Sequence, residues 1–144
     1  MIIKLLPNQI PFFWEAIKFA TKQADEVESN NMQPYFNELL HALLSNKAQC
    51  YVYLNNDRIL VGLLITRLKI DRITKDKFLF IQAVYAWRLL SDQVWRDTYN
   101  MVRSFATNED CKYLLFNSSN PAIWGRTEKL GFKEITRTFS LKIV

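Results

Sequence analysis

The chain has 144 residues, 49% of them apolar and 14% aromatic, which is the size of one compact domain with enough apolar material for its own core. This excludes a disordered chain and leads us to expect a single domain over residues 1–144. The net charge is +5, but the 19 Lys and Arg residues are scattered along the chain. The charge therefore reads as solvated surface, able to suit an acidic protein partner, and a nucleic-acid-binding module is the weakest of the readings below. No apolar run is long enough to cross a bilayer, and residues 1–7 are too short for a signal-peptide core, so a soluble, unexported protein is expected.

In chain order, residues 2–6 are a strand ended by Pro7, and a helix over residues 11–27 carries Phe13, Ile17 and Ala20 on one face. Residues 28–31 are a polar loop. Pro34 opens a second helix on which Phe36, Leu39, Leu40, Leu43 and Leu44 recur at helical spacing. The period then changes to two: Cys50, Val52 and Leu54 alternate with Tyr51 and Tyr53, residues 55–57 turn, and residues 59–70 return as the second arm of a hairpin. After the charged turn at 71–77, residues 78–86 are a third consecutive strand, apolar on both faces and so central. Ser91 caps a helix with Asp92 in its first turn, running to about Thr107. Residues 113–116 form a short buried strand, Asn120 and Pro121 start a helix that Gly131 stops, and residues 132–143 read as a closing strand.

The resulting order, β-α-α-β-β-β-α-β-α-β, resembles that of the GNAT N-acetyltransferases, implying a single mixed, mostly antiparallel sheet flanked by helices. The most specific match runs from Asn120 through a helix to Lys129-Leu130-Gly131-Phe132, and residues 57–62 resemble the family's hairpin turn. The resemblance implies acetyl-coenzyme A as cofactor, with Asn120 near it. It also implies a general acid at the position of Thr127, where the family often has tyrosine, and a general base near Gln82, where it often has glutamate.

Each of these chemical elements is altered. A threonine hydroxyl is a poor proton donor to a departing thiolate, and a glutamine cannot ionise. The family's glycine-rich turn lets backbone N–H groups approach the cofactor diphosphate at a helix N-terminus. The three glycines of this chain lie at 62, 125 and 131, none of them in residues 85–96. Asp92 further places a negative charge where the diphosphate would sit. On these grounds no catalytic residue and no cofactor are expected, and Asn120 and Thr127 are vestiges of an acyl-coenzyme A position.

The other candidates are structural. His41 sits among leucines with no second histidine, so no metal site is expected. Cys50 and Cys111 are too far apart for a zinc pair and read as buried apolar residues. Ser91 lacks the setting of a nucleophile. Tyr85, Trp87, Trp95 and Tyr99 read as packing, or alternatively as a contact surface, with Trp87, Arg88, Trp95 and Arg96 as partner-binding residues. Residues 91–96 and the elements after them also resemble GNAT-like internal virion or morphogenesis proteins of short-tailed bacteriophages. The expected function is therefore a non-catalytic, GNAT-like assembly or accessory protein, with phage virion proteins as partners and a virion or host-cytoplasm location. The alternative is a divergent, cytoplasmic N-acetyltransferase using acetyl-coenzyme A.

Overall fold

The structure, a computed structural model, describes residues 1–24 and 31–143. Its elements are β1 (Ile2–Lys4), α1 (Ile10–Ala24), α2 (Gln33–Leu44), β2 (Ala48–Leu54), β3 (Leu60–Ile70), β4 (Lys77–Ala86), α3 (Asp92–Asn108), β5 (Leu114–Phe116) and α4 (Pro121–Lys129), with one 3-10 turn at Pro7–Gln9. The strands form one sheet in the order β1-β2-β3-β4-β5, antiparallel except for the parallel pair β4 and β5. This is the expected mixed, mostly antiparallel sheet. The expected end of the first helix, residues 25–27, lies outside the described residues.

Local chemistry sets the boundaries. Asn55 turns the β2–β3 hairpin, its Oδ1 accepting from the N–H groups of Asp57 at 2.9 Å and Ile59 at 3.0 Å. Ser91 caps α3, its Oγ accepting from Val94 N at 3.2 Å, and Asn120 caps α4, its Oδ1 accepting from Ala122 N at 3.0 Å. Gly131 ends α4 with φ +98°, a conformation costly for any residue with a Cβ.

The two faces of the sheet carry separate cores. On one, Ile10, Ile17 and Ala20 of α1 and Leu39 and Leu43 of α2 cover Cys50, Val52, Leu63, Ile65 and Ala83. On the other, Val102 and Ala106 of α3 cover Tyr51, Leu64, Leu79 and Ile81. Burial among apolar groups pushes the Cys50 thiol pKa up, and no disulfide is formed. Cys50 is buried as expected, whereas Cys111 is only half-buried.

One irregularity shapes the molecule. Ile65 pairs with Ala83 while Thr66 pairs with Ile81, so Gln82 is an extra residue, a β-bulge. The bulge shifts the alternation of β4. Leu79 and Ile81 before it share a face with Val84 after it, while Ala83, Tyr85 and Trp87 pack on the other. Pairing with β5 stops at the same point: Leu79, Phe80 and Ile81 face Leu114, Leu115 and Phe116, and β4 then runs on to Ala86 without β5 beside it.

The expected closing strand is not formed. Residues 132–143 carry no strand, and beyond Phe132 no backbone hydrogen bond ties them to β5 among the described residues. Ile135, Phe139, Leu141 and Ile143 are 74–87% exposed. The strand pattern is present, but a strand requires a partner for its N–H and C=O groups, and among the described residues none is bonded to this segment.

Candidate functional site

Beyond the last β4–β5 pair the sheet opens into a shallow cleft. Its floor is Ile81 and Val84; Trp95, Thr98 and Tyr99 of α3 form one wall, and Phe116 with Ile123, Arg126 and Thr127 of α4 forms the other. The lining is apolar apart from a few polar groups, the composition of a small-molecule site. A second, smaller space continues under the start of α3, lined by Gly62, Leu90 and again Trp95 and Thr98.

Arg126 and Asp92 meet at the mouth. Arg126 Nη1 donates to Asp92 Oδ1 at 2.6 Å, and the guanidinium stands 5.3 Å from the centre of the Trp95 ring, a cation–π contact. The negative charge at the start of α3 is thus neutralised by an arginine from α4. These residues lie 34 positions apart, and no local signal in the sequence joins them.

The sequence-derived candidates are divided between the two faces. Thr127 lines the cleft, but its Oγ1 donates to Ile123 O at 2.8 Å. Asn120 is occupied as the cap of α4. Gln82 sits on the bulge, where its Nε2 donates to Tyr35 Oη at 2.6 Å and its Oε1 accepts from Arg67 Nε. Arg67 in turn grips Glu38 of α2 through both carboxylate oxygens, at 2.6 and 2.7 Å. That hydrogen-bonded guanidinium holds the Glu38 carboxyl below its ordinary pKa.

Trp87 stacks on Phe19 of α1 at 6.1 Å and meets Tyr85 edge-on at 5.0 Å, whereas Trp95 belongs to the cleft on the opposite face. The two tryptophans therefore do not share one patch, although Arg88 and Arg96 are both exposed at the same end of the sheet. His41 is exposed on α2. Among the described residues no cluster of His, Cys, Asp and Glu could hold a metal ion, and no helix is long and apolar enough to cross a membrane. Sequence reasoning missed Arg126 and read Tyr99 as packing or a contact surface rather than as the phenol of a cleft, which becomes visible once α3 is laid against β4.

A sheet opened between parallel β4 and β5, with two helices on one face and two lining the opening, is the GNAT acetyltransferase fold. Solved structures match this chain over nearly its whole length. A predicted acetyltransferase from Clostridium acetobutylicum, solved with acetyl-CoA, is 11% identical with a TM-score of 0.77, covering 99% of this chain and 96% of that one. An aminoglycoside 6'-N-acetyltransferase from Acinetobacter baumannii is 12% identical with a TM-score of 0.71, covering 99% and 96%. A ribosomal-protein-alanine N-acetyltransferase from Brucella melitensis biovar Abortus 2308 is 14% identical with a TM-score of 0.68, covering 99% of each chain. No family model matches the chain, and no curated protein matches its sequence.

Proposed function

We propose that the chain is a divergent N-acyltransferase that takes an acyl group from acyl-coenzyme A and passes it to an amine. The observation that carries this is the apolar cleft opened by the Gln82 bulge, in a fold whose neighbours are acetyltransferases. Val84, Phe116 and Ile123 suit the methyl and methylene groups of the thioester arm, and Arg126 at the mouth suits the cofactor's diphosphate once it leaves Asp92. In the transfer the amine nitrogen bonds to the acyl carbon, the carbon–sulfur bond breaks, and the amine proton leaves to water. The thiolate takes its proton from Tyr99, the phenol of the cleft, in place of the missing acid at Thr127, and water returns a proton to the phenolate. Calorimetry with coenzyme A and acetyl-coenzyme A, followed by thiol release with a panel of amines, tests this. Micromolar binding with amine-dependent release is expected, and absence of binding overturns it.

A second reading is a binding or assembly protein without turnover, including a phage virion component. It is favoured by Gln82, which offers no ionisable base and whose amide is held by Tyr35 and Arg67. In that reading the turn carrying Arg88 and the start of α3 carrying Arg96 dock the partner. Coenzyme A binding with no thiol release across the amine panel would favour it.

A further inference from the structure

We propose that the β3–β4 turn, residues 71–76, is a membrane-docking finger that seats an apolar tip in an anionic lipid surface. The last rung of the β3–β4 ladder is Ile70 with Lys77, so the turn projects past the end of the sheet. Its own bonds hold it. Asp71 N donates to Asp76 O at 2.8 Å, and Lys75 N donates to Asp71 O at 3.0 Å. Asp71 Oδ1 accepts from the N–H groups of Ile73 at 2.8 Å and Thr74 at 3.0 Å, and its Oδ2 accepts from the Tyr113 hydroxyl at 3.2 Å. A turn fixed in this way nevertheless presents its apolar side chains to solvent: Ile73 is 91% exposed and the adjoining Ile70 65%.

The charges around them are sorted by sign. Lys69, Arg72 and Lys75 are exposed, whereas Asp71 and Asp76 are half-buried. Backbone bonds from Leu68 N to Lys47 O and from Lys112 N to Lys77 O bring two further exposed lysines, 47 and 112, to the same end of the sheet. Glu109 is paired there with Lys77 at 3.2 Å. Asp110 is exposed beside Lys112, but cations dominate the exposed charge.

The combination selects the occupant. A nucleic acid would use the cations and leave both isoleucines in water, and exposed apolar side chains at a convex tip have no groove of their own to fill. A bilayer surface takes both groups at once, with methyl groups at the boundary of headgroups and acyl chains and each Lys or Arg near anionic headgroups adding about fivefold to partitioning. Docking at this end also leaves the cleft mouth free. Ala86, which leads into the turn before Asp92, pairs with Gly62 at the opposite end of the β3–β4 ladder.

Flotation of the full chain with vesicles tests the proposal, using phosphatidylcholine alone and an equal mixture of phosphatidylcholine and phosphatidylglycerol. Binding to the mixed vesicles is expected, reduced by added salt, with little binding to phosphatidylcholine alone. Ile73→Ser should weaken binding about fivefold or more, Ile73→Leu should restore it, and Arg72→Glu should also weaken it about fivefold or more. Arg58→Glu makes the same change of charge in the β2–β3 turn at the opposite end, and should stay within about twofold of wild type because salt screens that distance. Absence of binding to the mixed vesicles overturns the proposal, and so does equal binding to both kinds. It is equally overturned if Ile73→Ser binds as wild type, if Arg58→Glu loses as much as Arg72→Glu, or if duplex DNA is bound more tightly than the vesicles. None of these readouts depends on coenzyme A binding.

Discussion

Replacing Asp92 by Asn moves stability and cofactor affinity in opposite directions if the diphosphate sits at the start of α3. The Asp92 side chain is 69% exposed and its partner Arg126 30%, so the ion pair is screened and contributes under about 1 kcal/mol. Losing its favourable place at the helix N-terminus adds about 0.5 kcal/mol. Asp92→Asn should therefore lower unfolding stability by about 1 kcal/mol, read by urea denaturation. Against this, two phosphate charges about 6 Å from a carboxylate are disfavoured by about 1.4 kcal/mol even at the dielectric constant of water, which is about tenfold in Kd. The variant also frees Arg126. Calorimetry should show coenzyme A binding tightened about tenfold or more in Asp92→Asn and weakened in Arg126→Ala, with both effects reduced by added salt. A folded Asp92→Asn variant with unchanged or weaker binding would refute the placement of the diphosphate.

Leu79 is fully buried and lies where β4 still holds β5. Leu79→Ala should cost about 3 kcal/mol in denaturant unfolding, and a loss under about 1 kcal/mol would mean the site collapses freely. Two glycines in and after α4 should respond with opposite signs, because a Cβ meets nothing within 4 Å at either. Gly131→Ala costs about 1 kcal/mol or more from its positive φ, while Gly125→Ala in the helix gains about 0.5–1 kcal/mol, both read as shifts in Tm. Glu38 has its folded-state pKa lowered, chiefly by Arg67, so its contribution is present above the ordinary carboxylate range and is lost as pH falls through the folded value. Glu38 is 59% exposed, so Glu38→Gln should be less stable than wild type by up to about 1 kcal/mol at neutral pH. That gap should close progressively as pH drops below 4.5.

Much of the fold is readable from short-range chemistry. Ser91, Asn120 and Gly131 mark helix ends through bonds that reach only two or three residues, and the hairpin turn at Asn55 is equally local. What escaped reading depends on longer distances or on a phase error. Residues 78–86 read as apolar on both faces because the bulge changes the parity at Gln82; the trace of it is that Leu79, Ile81 and Val84 share a face. Trp87 and Trp95 look like one patch in sequence, but one ends β4 facing α1 and the other lies on α3 in the cleft. The ion pair of Asp92 and Arg126 joins two helices through tertiary structure alone. Residues 132–143 have a strand's pattern, and pattern reports a side chain's preference without naming the strand beside it.

The bulge at Gln82 also bears on what keeps the two cores in register. Because Ile81 and Ala83 already pair with the adjacent residues Thr66 and Ile65, excising Gln82 would leave every other side chain of β4 on its present face and both cores intact. The register of the two cores is therefore independent of the bulge: what Gln82 adds is a local irregularity whose side chain ties β4 to Arg67 and Tyr35.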